Sequence, residues 1–113
     1  MTEYVIGMDI GATWIRAVLA DGRGRFITRL SERTRAEPGG LEDQIARMAK
    51  ELLEELPRAR AKRLRAVGVG SIGPLDVRKG EVINPPNLPV GCVRVAEVLE
   101  EALGVPTYVL NDC

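Results

Sequence analysis

An apolar strand that must reverse on Gly11-Ala12-Thr13 sets the first constraint on this chain. Residues Tyr4 to Ile10 read as a buried strand, and Ile15 to Leu19 read as a second strand returning antiparallel to the first. Between them, Gly11 permits positive φ, and its missing Cβ allows an incoming group to approach the backbone. Ala12 and Thr13 then offer backbone amides, and the Thr13 hydroxyl can donate to a phosphate oxygen. Asp9 would repel a phosphate in direct contact, so its chemistry points to Mg²⁺ held mostly through water, since that ion keeps much of its hydration. Two readings fit these residues: a turn that holds phosphates, and an ordinary hairpin turn with a capping aspartate.

Downstream, Ala20-Asp21-Gly22-Arg23-Gly24 is a turn by composition, and Arg25 to Thr34 reads as a third, more polar strand suited to a sheet edge. Pro38-Gly39-Gly40 breaks the chain before a long helix that places Leu41, Ile45, Met48, Ala49, Leu52, Leu53 and Leu56 on one face, for packing on the sheet. Arg58, Arg60, Lys62, Arg63 and Arg65 follow. They read as a solvated run at a helix C-terminus, where cations are favourable, and not as a nucleic-acid surface. Ala66 to Ile72 is a short apolar strand whose glycines imply close approach by a helix or a ligand. A long Gly- and Pro-punctuated connection comes next, with a small hairpin expected around Val77 to Ile83. A second helix is expected over Val93 to Leu103, with Val95, Val98, Leu99 and Ala102 inward and Gly104 as its stop. The last strand, Thr107 to Leu110, delivers Asn111 and Asp112 to a strand's carboxyl end, where open α/β sheets bind ligands. The element order β-β-β-α-β-α-β predicts an α/β fold.

Length and composition exclude several classes. At 113 residues and 45% hydrophobic content the chain is sized for one domain with a real core. Sixteen basic residues cancel sixteen acidic ones, which argues against nucleic acid or membrane as the main partner. With no histidine, and with Cys92 and Cys113 far apart, neither a zinc site nor a histidine base is available within these residues. No apolar run approaches the ~20 residues that span a bilayer, and the N-terminus is polar, so a cytoplasmic location is the default expectation.

With Asp9-Ile10-Gly11-Ala12-Thr13 at the first turn, the element order resembles the N-terminal lobe of sugar kinases in the actin and hexokinase ATPase superfamily. Within it the chain is most similar to the ROK family. Three further stretches carry that resemblance: Gly68 to Asp76 (GVGSIGPLD), Gly80 to Pro89 (GEVINPPNLP) and Val109-Leu110-Asn111-Asp112. The resemblance covers essentially all 113 residues and looks like glucokinase-type members. It implies a ribonuclease H-like, actin-like ATPase lobe with a five-stranded mixed sheet and helices packed on it.

The same resemblance implies ATP and Mg²⁺ as cofactors and a hexose as substrate, with glucose the default. Asp9, Gly11, Ala12 and Thr13 match the cofactor-binding turn. Asp112 matches the catalytic base, a role that suits a carboxylate beside an attacking hydroxyl. Asn111 matches a sugar ligand, with Ser71, Gly73 and Asn87 as further substrate contacts. Two departures stand out: Trp14 occupies a position where relatives carry lysine, and the usual Pro-Gly-Pro segment reads Ile72-Gly73-Pro74. Arg16 shares a strand face with Trp14 and is the candidate to compensate. The family's second lobe would lie beyond residue 113, so residues 1–113 are expected to be inactive alone. They are also expected to be able to form a homodimer through the exposed cleft face. A ROK transcriptional regulator is the alternative, disfavoured because only three residues precede Tyr4. A noncatalytic sugar-binding or assembly module is the other.

Overall fold

The computed structural model describes residues 2–35, 37, 39–83 and 92–111. Its elements in chain order are β1 (Tyr4–Ile10), β2 (Trp14–Asp21), β3 (Phe26–Arg33), α1 (Gly40–Glu54), α2 (Arg58–Ala61), β4 (Leu64–Ser71), β5 (Leu75–Asp76), β6 (Glu81–Val82), α3 (Val95–Leu103) and β7 (Thr107–Asn111). Five strands form one mixed sheet in the order β3-β2-β1-β4-β7, and β5 and β6 pair separately. In the main sheet β1 is antiparallel to β2 and parallel to β4, and β4 is parallel to β7.

Residues opposite one another in register share a face, because side chains alternate along a strand. One register row runs Ile15, Ile10, Ser71, Asn111, and the next runs Arg16, Asp9, Gly70, Leu110. Ile15, Ile10 and Ser71 of the first row lie on the face that the helices cover. There Ile6, Met8 and Ile10 of β1 join Ile15 and Leu19 of β2 and Val67 and Val69 of β4 in a single buried core. From above, α1 presents Leu41, Ile45, Met48, Ala49 and Leu52, and α3 presents Val95 and Leu99. Val98 and Ala102, expected inward, are only partly buried.

Several boundaries differ from expectation for identifiable reasons. β2 continues past Leu19 to Asp21, whose carboxylate accepts the amides of Arg23 (2.9 Å) and Arg25 (3.0 Å) and so closes the next turn. β4 starts at Leu64, two residues before Ala66, because Leu64 stands opposite Tyr4 in the sheet. The cationic run does not extend the long helix. Pro57 has no N–H to continue α1, and Arg58–Ala61 form a separate helical turn. Val93, expected in the second helix, instead exchanges backbone hydrogen bonds with Val82 (2.9 and 2.7 Å), and α3 starts at Val95. In the small hairpin the strands are Leu75–Asp76 and Glu81–Val82, with Val77 in the connecting turn.

Gln44 ties α1 to the edge strand. It is 2% exposed, its Oε1 accepts the Arg35 amide (2.9 Å), and its Nε2 donates to the Arg33 carbonyl (2.8 Å) and to Glu32 Oε1 (3.1 Å). The Arg47 guanidinium beside Glu32 holds that carboxyl below its usual range. Burial opposes the shift, and the Gln44 hydrogen bond assists it. A Gln44→Leu variant strands the Arg33 carbonyl and the Arg35 amide and is expected to lose about 2 kcal/mol, read from the urea midpoint. Because the folded Glu32 pKa is depressed, its contribution is fully present above the ordinary carboxylate value and is lost as pH falls through the folded value. The stability gap between wild type and Glu32→Gln should therefore narrow in denaturation curves taken below about pH 4.

Candidate functional site

The turn between β1 and β2 is closed from within and braced from outside. The Gly11 amide donates to the Trp14 carbonyl (2.9 Å), and the Gly11 carbonyl accepts from Thr34 Oγ1 (2.8 Å). The Thr34 amide in turn donates to the Thr13 carbonyl (2.8 Å), so the end of the edge strand holds both sides of the turn. Gly11 is not among the positive-φ glycines, contrary to the expected reason for its presence. Its requirement is space: a Cβ there would lie 2.9 Å from the Trp14 carbonyl oxygen. Since the Gly11 amide is used inside the turn, the groups left to face a ligand are the Ala12 amide, the Thr13 amide and the Thr13 hydroxyl. Among the described residues these have no partner.

Asp9 is half-buried on the last turn-ward stretch of β1, directly opposite Arg16 on β2 and Gly70 on β4. Trp14 and Arg16 are both exposed on one face of β2, as alternation predicted. The Arg33 guanidinium lies over the Trp14 ring at 5.5 Å from its centroid, a cation–π contact next to the turn. No cluster of three or more His, Cys, Asp or Glu side chains exists among the described residues. An Mg²⁺ that keeps most of its water needs only one or two protein carboxylates, so Asp9 beside unpartnered amides fits such an ion while a caged metal does not.

Ser71, Gly73 and Asn111 belong to the neighbouring strand ends. Ser71 is fully buried, and its Oγ donates to the Ile72 carbonyl (3.1 Å), while the Ile72 amide donates to the Ile10 carbonyl (3.1 Å). The serine thus secures the exit of β4 into the loop that starts at Gly73, whose peptide bond to Pro74 is cis. That loop is fastened over α3: the Ile83 amide donates to the Pro74 carbonyl (2.8 Å), and the Ala96 amide donates to the Gly80 carbonyl (3.0 Å). Gly80 is required there, with φ of 66° and a notional Cβ only 2.3 Å from that of Ala96. Asn111 ends β7 in register with Ser71. Asn87 and Asp112 lie outside the described residues.

Ile10, Ser71 and Asn111 therefore end three adjacent parallel strands on one row. At the usual strand spacing, the ends of β1 and β7 are about 10 Å apart. Open α/β sheets take ligands outside strand carboxyl ends where the strand order reverses, which in this sheet falls at β1. Sequence reasoning located the turn but missed Thr34, which nothing local marks and which only the β2–β3 register brings to Gly11.

A five-stranded mixed sheet of this order, with helices packed on it, is the lobe of an actin-like ATPase. Residues 5–113 match the ROK family, and the chain belongs to it. It is 37% identical over its whole length to a glucokinase of Pyrobaculum calidifontis, covering 33% of that protein. A putative xylose repressor of Caldicellulosiruptor is 30% identical over 96% of the chain, which covers 27% of the repressor. Among solved structures, a ROK hexokinase from Thermus thermophilus superposes with a TM-score of 0.76 at 33% identity, over 96% of this chain and 35% of that one. A ROK family glucokinase from Streptomyces griseus, in complex with glucose and AMPPNP, gives 0.78 at 28% identity, over 96% and 33%. The chain spans about a third of the length of the curated relatives it matches.

A Gly11→Ala substitution is expected to force the turn open against Trp14 and to cost about 2 kcal/mol in thermal unfolding. An unchanged melting temperature would show that the turn tolerates a side chain there.

Proposed function

We propose that the protein containing this lobe transfers a phosphoryl group from ATP to the 6-hydroxyl of a hexose, glucose first. The observation that carries the reading is that the unpartnered donors at Ala12 and Thr13 follow β1 at the same end of the sheet at which β7 ends on Asn111. The glucose and AMPPNP complex of the Streptomyces griseus relative supports the substrate pair.

In this reading the Ala12 and Thr13 amides and the Thr13 hydroxyl hold the donor's phosphate oxygens, and Gly11 shapes the turn. Asp9 orients the water shell of Mg²⁺, which when bound neutralises charge on the transferring phosphate. Asn111, Gly73 and Asn87 position the sugar, and Ser71 fixes the loop from beneath. Asp112 accepts the proton of the attacking hydroxyl as the new P–O bond forms, and the leaving diphosphate departs along the turn. Phosphoryl transfer depends on positioning in a water-poor cleft, and one lobe supplies one wall.

The test is glucose-6-phosphate formation by the protein at its full encoded length, beside an Asp112→Ala variant. Loss of at least about 100-fold in kcat with KM for glucose little changed is expected, while retained turnover overturns the base assignment. Residues 1–113 alone should form no measurable product. A sugar-responsive regulator is the second reading, favoured by the xylose repressor match. Absent turnover together with sugar-dependent DNA binding would select it.

A further inference from the structure

Thr34 stands one residue beyond β3 and uses both of its donors on the turn between β1 and β2. Its Oγ1 donates to the Gly11 carbonyl and its amide to the Thr13 carbonyl, each at 2.8 Å. In a trans peptide the carbonyl and the N–H that follows it point in opposite directions. Neither Gly11–Ala12 nor Thr13–Trp14 is a cis bond. With the Gly11 carbonyl drawn toward Thr34, the Ala12 amide is therefore turned away from Thr34. The Thr13–Trp14 plane is fixed in the same way, so the peptide between the two, which carries the Thr13 amide, is held at both ends.

That orientation needs a cause, because the residue before the first plane is Gly11, and glycine resists backbone rotation least. A half-turn of the Gly11–Ala12 plane would exchange its two groups. A carbonyl oxygen would then stand where the Ala12 donor stands and would repel an approaching anion. The same rotation would leave the Thr34 hydroxyl without its acceptor, so the hydroxyl selects one of the two orientations.

Thr34 is itself set from the core. Gln44 of α1, only 2% exposed, donates through Nε2 to the Arg33 carbonyl (2.8 Å) and accepts the Arg35 amide at Oε1 (2.9 Å). Those two groups belong to the peptide planes on either side of Thr34, so one buried side chain restrains both of its backbone torsions. Glu32 accepts from the same carboxamide (3.1 Å) and from Arg47 (2.8 Å), which fixes the direction of the carboxamide in turn. A helix on the covered face thus reaches the turn in two hydrogen-bonded steps.

We propose that Thr34 is the positioning residue of the phosphate turn: its hydroxyl aims the Ala12 amide at the donor's phosphate oxygens, and Gln44 holds Thr34 where it can do so. This rests on the phosphate-binding reading of Ala12 and Thr13 and not on the identity of the sugar.

The test uses the protein at its full encoded length with Thr34→Val, which keeps the branched shape and the backbone amide but removes the hydroxyl, and with Thr34→Ser, which keeps the hydroxyl. Thr34→Ala replaces the valine variant should that one misfold. Without ligand, the Ala12 amide resonance is expected to move in Thr34→Val and to stay near its wild-type position in Thr34→Ser. In calorimetry with Mg²⁺ and AMPPNP, Thr34→Val is expected to bind about tenfold more weakly than wild type, and Thr34→Ser within about threefold of it. An unmoved Ala12 resonance, equal weakening by serine and valine, or undiminished affinity in Thr34→Val would overturn the proposal alone. Wild-type protein that binds no AMPPNP would overturn it together with the phosphate-binding reading.

Discussion

Everything in this lobe is hung on β1. It is the strand with an antiparallel partner on one side and a parallel partner on the other, and its alternate side chains, Ile6, Met8 and Ile10, are almost completely buried under α1 and α3. Burying a side chain of that size contributes about 1.5–3 kcal/mol, so a one-residue slip would lose three such contributions and turn Asp9 into the core. The same register that secures the core therefore fixes which way the acid beside the turn faces. Stability and site geometry are one constraint.

From that strand the site is assembled by backbone more than by side chains. The Gly11–Trp14 hydrogen bond closes the turn, Thr34 just past β3 grips it, and Gln44 holds the end of β3 to α1. The unpartnered amides of Ala12 and Thr13 are thus presented on a framework with little freedom, which in the proposed function would lower the reorganisation needed to receive phosphate oxygens. Across the crevice, β4 and β7 end on the same row, and the loop after Ser71 is pinned over α3 through Gly80 and Ala96. The chain belongs to the ROK family and spans about a third of the length of the relatives it matches.

Local patterning made much of this legible. Tyr4–Ile10 emerged with both ends correct, because an apolar run terminated by Gly-Ala-Thr admits little else, and the α1 stripe from Leu41 to Leu52 faces the core as its spacing required. The failures share a cause. Val93 left the helix for a bridge to Val82, Leu64 joined β4 because Tyr4 was opposite, and Thr34 reached Gly11 across 23 positions. Each depends on a partner distant in sequence, which propensity cannot see. Gly11 shows a subtler limit: its identity was informative, yet the reason is the nearby Trp14 carbonyl and not left-handed backbone. In the candidate site, the donors of the turn were legible and the part played by Ser71 beneath the loop was not.

In the proposed function the Ala12 and Thr13 amides receive the donor's phosphates. That contact can be read by an amide-resolved NMR titration of the full-length protein with Mg²⁺ and a nonhydrolysable ATP analogue. Saturable shifts are expected at Ala12 and Thr13, with little change at Gly11, whose amide stays bonded to Trp14. Saturable binding that leaves Ala12 and Thr13 unmoved would contradict it.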